Sequence, residues 1–437
     1  MRDAYAAYRD GLRFRAAAIG WSDDRKRDWV LGRLRDVVRN AARDVPFWAE
    51  RLAAAGFDPR APFTFDDFAR LPVLERAEVR DAGAALRSRS VPDHLVWKDA
   101  TGGSTGTPTE IWKGPRERGW IESSSEHFMT RIGLPPGSRL AYLWGHHLDP
   151  SARDSMRDRT RDWLANVRWF DCKRLSDEVL LDYHEQLGRF GPHGMVAYAS
   201  ALAQLAETTL RHGREPRYPT RAFVTGAEKL FDHQREAVDL AFGVPVHERY
   251  GGRDVGGLAF QLDPRRSLDF TVDWANVLVE PEDEEGSSAI LVTKLNADAM
   301  PMIRYRVGDV ARFTDEARPG NPSLVLHEVI GRDMDRIWTT EGRWLHPVAV
   351  PHLMKDFPVR DFQIHQSADY SVRVRLVGAP GFSDDTGAAI LDTLRANLPG
   401  LEITLVMEDE IPRGKANKWR PVSSDAAAPV TAGSTRE

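Results

Sequence analysis

The sequence predicts an α/β protein in two parts. A large N-terminal domain of mixed sheets under helical cover is followed by a small, mobile α+β domain at the C-terminal end. Three observations carry this expectation. Between about residues 95 and 330, short apolar runs alternate with helical periodicities, the pattern of a sheet covered by helices. Beyond Gly331, two strands of alternating apolar and charged residues flank a helix. The chain's 437 residues also exceed what one hydrophobic core usually holds.

In chain order, apolar residues at Val30, Leu31, Leu34, Val37, Val38 and Ala41 form a helical stripe within Arg25–Asp44. Pro46, Pro59, Pro62 and Pro72 then punctuate short helices and turns, so residues 1–95 read as a helical opening block on the 1–330 domain. Arg139–Trp144, Arg221–Thr225 and Ala289–Leu295 read as strands, with helices over Asp177–Phe190 and Ser200–His212. After a boundary near Gly331, Tyr370–Val377 and Leu401–Glu408 alternate as half-exposed strands do, with a helix over Asp384–Leu398 between them. This small domain spans 331–422, and residues 423–437, small and polar, read as a disordered tail.

Composition removes several functions. The net charge is −5, with 60 basic and 65 acidic residues scattered along the chain, so no basic field exists to hold nucleic acid. The single cysteine, Cys172, excludes an internal disulfide or a cysteine-rich zinc site and reads as a small buried apolar residue. No run reaches the roughly eighteen apolar residues of a membrane span. The N-terminus reads as neither signal peptide nor anchor, so the cytoplasm is expected.

Five segments carry chemistry. Asp99–Thr109 (DATGGSTGTPT) sets three glycines and five hydroxyl residues after Val96-Trp97, a loop whose N–H and O–H donors can wrap phosphate oxygens. It lacks the Lys-Ser/Thr ending of a P-loop, and a plain surface loop has the same composition. Glu248–Gly257 (ERYGGRDVGG) places an aromatic ring, a glycine turn and a carboxylate close together. Tyr250 can stack on a purine and Asp254 can bind a phosphate-bridging magnesium, or the segment is an ordinary strand-to-turn corner. Ile303–Asp309 (IRYRVGD) delivers Asp309 after a glycine, where its two oxygens suit a ribose diol as well as a β-turn. Gly331–Ile337 (GRDMDRI) is followed by Gly342–Pro347. Ile411–Val422 (IPRGKANKWRPV) carries Lys415 and Lys418 on a Gly/Pro-punctuated stretch able to bring a cation to developing negative charge.

Together and in this order, these segments resemble the adenylate-forming superfamily, in the branch of phenylacetate–coenzyme A ligases and capsular-polysaccharide-type proteins. The resemblance runs from the helical opening through about residue 422 and includes the Gly226-Ala227-Glu228 turn. It implies that Thr101, Ser104, Thr105 and Thr109 embrace the triphosphate. Tyr250 and Gly251 would flank adenine from one side, with Gly226, Ala227 and Glu228 on the other. Glu248 matches a position that accepts from the adenine amino group, Asp309 the ribose-binding aspartate, Arg332 a nucleotide-contacting arginine, and Lys418 the catalytic lysine. The sequence departs from the pattern at Asp254, where a metal-binding glutamate is usual. Arg253 stands where a small hydroxylated residue is usual, and either contacts the α-phosphate in its place or occludes the site. Met334, between Asp333 and Asp335, replaces an acidic hinge residue, and Asn417 a glycine.

The implied reaction is attack of a substrate carboxylate on the α-phosphate of MgATP, release of pyrophosphate, then acyl transfer to coenzyme A. The small domain is expected to turn about Gly331–Asp335 between the two halves. Transfer to an amine or a carrier-protein thiol uses the same first half, and a non-catalytic nucleotide-binding protein is the reading from another class. Trp144, His146 and Tyr198 are candidates to line an acyl pocket, where their flat rings could favour an aryl acid, although ordinary core packing accounts somewhat better for Trp144 and Tyr198. Coenzyme A, an amine or a carrier protein is the expected acceptor, with no nucleic-acid or membrane partner, and a homodimer is the default assembly.

Overall fold

A computed structural model describes residues 2–100, 109–145, 156–172, 175–282, 287–314, 320–321, 324–332, 337–341, 343–345, 349–354, 357–379, 381–411, 421–426 and 429. The chain divides into two compact units, residues 1–307 with 311–329, and residues 308–310 with 330–437.

The first unit opens with helices α1 (Arg2–Ala18), α2 (Asp23–Asp44), α3 (Pro46–Ala54), α4 (Phe65–Ala69) and α5 (Arg76–Ala82). Ser22 caps α2 by accepting from the Arg25 N–H, and Asp23 and Asp24 in the first turn complement the helix dipole. The face of α2 buries Val30, Leu34, Val37, Val38 and Ala41. These opening-block residues share one core with Ile290, Val292, Met302 and Tyr305. Trp48, 1% exposed, donates its indole N–H to the Pro301 carbonyl at 3.0 Å.

The strands of this unit are β1 (Trp97–Ala100) and β2 (Glu110–Lys113), an antiparallel pair, and then the strands of one large sheet. Those are β3 (Leu140–Leu143), β4 (Val167–Phe170), β5 (Gly194–Ala197), β6 (Ala222–Gly226), β7 (Val246–Gly252), β8 (Gly256–Gln261), β9 (Phe270–Val272), β10 (Val277–Pro281), β11 (Ser287–Lys294), β12 (Tyr305–Phe313) and β13 (Val325–Arg332). Their order in the 11-stranded sheet is β10-β11-β12-β13-β9-β8-β7-β6-β5-β3-β4. The block β4-β3-β5-β6-β7 is parallel, and β7-β8-β9-β13 is antiparallel.

Helices α6 (Pro115–Arg131), α7 (Met156–Leu164), α8 (Asp177–Phe190), α9 (Ala199–Arg211) and α10 (Asp232–Phe242) alternate with these strands. Residues of α8, α9 and α10 pack on one face of the parallel block with Leu143, Met195, Ala197, Phe223 and the buried Cys172. On the other face Phe128 of α6 stacks on Phe260 at 4.4 Å, beside Val196, Ala222 and Val224. Strands sandwiched this way are apolar on both sides, which is why they read as continuous apolar runs. Helix α1 lies so close to α6 that a β carbon on Gly119 would sit 2.5 Å from the Ala4 carbonyl oxygen. Arg15 of α1 makes a bidentate pair with Asp273 at 2.5 and 2.8 Å, both side chains buried.

The second unit holds β14 (Ile337–Trp338) paired with β15 (Trp344–Leu345), helix α11 (Ala349–Met354), β16 (Val359–Gln366), β17 (Val372–Gly378), α12 (Asp384–Asn397), β18 (Ile403–Met407) and β19 (Val422–Ser424). Its four-stranded sheet runs β18-β17-β16-β19 and packs Ile364, Val374 and Leu376 against Ile390 and Leu394 of α12. One expectation is corrected here. Ser423 and Ser424, assigned to the tail by their composition, pair in parallel with His365 and Gln366, because β16 leaves an open edge that the returning chain covers. Among the described residues no helix is long and apolar enough to cross a membrane.

Candidate active site

The parallel strands bring their C-terminal ends together. Tyr142, Val196, Val224 and His247 lie in one register row across β3, β5, β6 and β7. Two residues further on, Gly226 pairs with Arg249 and the chain leaves the sheet at Trp144 and Tyr198. In open α/β sheets a crevice forms beyond such ends where neighbouring connections run in opposite directions. Here β3 pairs with β4 on one side and with β5 on the other, so β3 is where that rule sets the change of direction. The Trp144 and Tyr198 rings meet at 4.1 Å, and Tyr142 stacks on Trp169 at 4.3 Å. Tyr198 is 1% exposed and burial pushes its phenol pKa up.

The Gly226-Ala227-Glu228 turn is strained and held from outside. Ala227 has φ +67°, a conformation L residues with a β carbon rarely adopt. Glu228 Oε2 accepts from both the N–H and the hydroxyl of Ser200, at 3.0 and 2.7 Å, which ties the turn to the first turn of α9. A β carbon on Gly226 would lie 3.3 Å from the Arg249 carbonyl oxygen.

Along β7 the side chains alternate. Glu248 faces α10, where Oε2 takes Arg235 at 2.7 Å and Gln261 at 3.1 Å while Oε1 accepts from the Leu230 N–H. Burial pushes the Glu248 carboxyl pKa up against the opposing pull of Arg235. Arg249 turns to the opposite face, toward Tyr142. Tyr250 is half-buried, and the register slips after it, between Tyr250 and Gly251. Replacing Gly251 with alanine would drive a β carbon to 2.1 Å from the Gly256 carbonyl oxygen on the partner strand. The Gly251→Ala variant is expected to lose about 1–3 kcal/mol of stability. A lowered denaturation midpoint is the expected outcome, and an unchanged midpoint would contradict it.

The turn after β7 carries Arg253 and Asp254. Arg253 is exposed and donates to the Ala100 carbonyl at 3.1 Å, at the end of β1 just before the hydroxyl-rich loop. In the same neighbourhood burial would raise the Asp99 carboxyl, but Lys113 at 2.9 Å holds it below the usual carboxylate range. Asp254 is 8% exposed; its Oδ2 accepts from the Tyr305 hydroxyl at 3.1 Å and its carbonyl from Lys294 at 3.2 Å. Among the described residues no three His, Cys, Asp or Glu side chains gather around one point. A phosphate-bridging magnesium needs only one or two carboxylates, however, and Asp254 is the carboxylate that this turn offers for one.

The remaining candidates fall on other segments of the chain. Thr109 is buried at the start of β2, and Asp309 is half-buried within β12 after Gly308 at φ +80°. Arg332 ends β13, its side chain outside the described residues, as are Thr101, Ser104, Thr105, His146 and Lys418. Sequence reasoning gave no role to Arg249, Lys294 or Glu117. For Arg249 a signal existed, since strand alternation places it with His247 rather than with Glu248.

No family model matches the chain. It is 24% identical over 426 residues to a phenylacetate–coenzyme A ligase of Thermus thermophilus, covering 89% of this chain and 94% of that one. It is 23% identical over 342 residues to a Pseudomonas putida protein of the same name, covering 72% of each. Protein CapK of Staphylococcus aureus is 22% identical over 276 residues, 62% of this chain and 60% of that one. Among solved structures, a 2-hydroxyisobutyryl-CoA ligase in the postadenylation state with 2-HIB-AMP superposes with TM-score 0.68 at 20% identity, covering 91% of this chain and 89% of that one. That likeness shows the same fold.

Proposed function

We propose, from the premise that this chain belongs to the adenylate-forming superfamily in its phenylacetate–coenzyme A ligase-like branch, that it activates a carboxylic acid with ATP and passes the acyl group to coenzyme A. The observation that carries this reading is the strained Gly226–Glu228 turn set beside Tyr250 and the Arg253–Asp254 turn at the ends of the parallel strands. In this reading the acid's carboxylate attacks the α-phosphorus, pyrophosphate leaves, and the coenzyme A thiol then displaces AMP from the acyl carbon. Gly226 and Ala227 present backbone to one face of adenine and Tyr250 covers the other. Glu228 acts through Ser200, holding the strained turn in place. Asp254 would hold magnesium, which supplies charge neutralisation to the phosphates. Asp309 is assigned the ribose hydroxyls and Arg253 the α-phosphate. Thr101, Ser104, Thr105 and Thr109 are assigned the triphosphate, Arg332 the nucleotide and Lys418 the charge that develops as the phosphoryl group transfers.

The test is ATP–pyrophosphate exchange over a panel of aryl, alkyl and substituted acids without an acceptor. Exchange with one acid class, followed by coenzyme A-dependent release of AMP, is the expected result. ATP binding without exchange on any acid would remove the adenylation reading. Exchange without stimulation by coenzyme A would move the acceptor to an amine or a carrier thiol.

A further inference from the structure

Arg249 has no part in the reaction derived above, yet it directly precedes Tyr250 in β7. Gly226 stands opposite it in register, and a β carbon there would lie 3.8 Å from Nε and 3.9 Å from Nη2 of Arg249. The guanidinium therefore lies across a glycine, on the sheet face that carries Tyr142 and Trp144. Among the described residues it has no ion pair and no hydrogen-bond partner. The interior arginines elsewhere are matched: Arg15 with Asp273, Arg235 with Glu248, and Arg304 with Glu280.

An enclosed guanidinium without an anion bears an uncompensated desolvation cost. Burial lowers its pKa accordingly, and Tyr142 only partly opposes that. The residue as a whole is half-buried, and Gly226 places no side chain beside its fork. A planar guanidinium beside the Tyr142 hydroxyphenyl group suits a carboxylate held by two parallel hydrogen bonds.

We propose that Arg249 binds a second carboxylate on the acid, so that the substrate is a dicarboxylic acid; this deepens, and rests on, the adenylation reading. A neutral acid at this position would leave the guanidinium desolvated and unpaired, so the site discriminates against it.

The experiment compares matched acids in ATP–pyrophosphate exchange: phenylacetate against 1,4-phenylenediacetate, and butyrate against succinate. Wild type is expected to favour the diacid in kcat/KM by about 100-fold, the scale of a buried charge pair. Arg249→Met is expected to shrink that ratio by a similar factor, and Arg249→Lys to keep part of it while confirming that the position tolerates change. A wild type that prefers the monoacids, or a ratio that Arg249→Met leaves untouched, overturns the proposal. If no acid supports exchange, the adenylation reading falls and calorimetric titration with the diacids decides the arginine separately. Diacid binding lost in Arg249→Met sustains the anion site, and equal or absent binding in both proteins overturns it.

Discussion

Alanine at position 418 is expected to slow ATP–pyrophosphate exchange by about 100-fold or more, the scale of removing one preorganised transition-state donor. As the acid's carboxylate approaches the α-phosphate, two anionic groups are forced together and charge moves onto the departing pyrophosphate. A lysine ammonium is a compact point charge suited to that moment. Lys418 stands beside Asn417 in the Gly/Pro-punctuated ending, which lies outside the described residues. The loss should fall in kcat, because the interaction strengthens as the phosphoryl group transfers. Thioester formation from a supplied acyl-adenylate starts after pyrophosphate has gone and is expected to suffer much less. Exchange at the wild-type rate in Lys418→Ala would sink the assignment. The Lys415→Ala variant, three residues earlier, shows which of the two lysines carries the effect.

The second large effect concerns the support beneath the site. Lys294 and Glu117 form an ion pair at 2.8 Å with both side chains 3% exposed, and the same ammonium reaches the Asp254 carbonyl. Breaking a buried pair by removing one partner costs about 3–5 kcal/mol, since the other charge stays behind without compensation. Lys294→Met is expected to show that loss in urea denaturation at pH 8, together with weaker ATP binding as the Asp254 turn loosens. The deficit should depend on pH. Burial already raises the Glu117 pKa, and Lys294 supplies the leading opposing pull, so the variant's folded-state value climbs further. A carboxyl with a folded pKa above its unfolded value binds more protons when folded across that interval. Stability therefore falls as pH rises upward from the ordinary carboxylate range, by up to about 1.4 kcal/mol per unit. The variant should accordingly recover toward acid pH. Adding Glu117→Leu to Lys294→Met removes the stranded charge and is expected to restore most of the loss. A single variant as stable as wild type at pH 8 would show that the pair does not support this turn.

How far the molecule was legible follows from where its signals lie. Strands β3, β6 and β11 and helices α2, α8, α9 and α12 were readable because burial on both faces, or on one helical stripe, leaves a local pattern. Strand β5 was missed because it opens on Gly194 and leaves only Met195, Val196 and Ala197 as an apolar run. Ser423 and Ser424 were misread because their pairing depends on a free edge of β16 more than fifty residues away, not on their own composition.

The site divides along the same line. From the sequence alone came the α/β class, the adenylate-forming resemblance and the succession of motifs proposed to hold the nucleotide, since glycine turns, a strand-end tyrosine and a lysine on a punctuated segment are written in consecutive residues. Tertiary structure alone decided which charges have partners. Glu117 meets Lys294 across 177 positions, and Arg15 meets Asp273 across 258. Among the described residues Arg249 has none, and Gly226, from another strand, places no side chain beside it. Pairing between distant residues is a property of strand order and helix packing, and no local period encodes it.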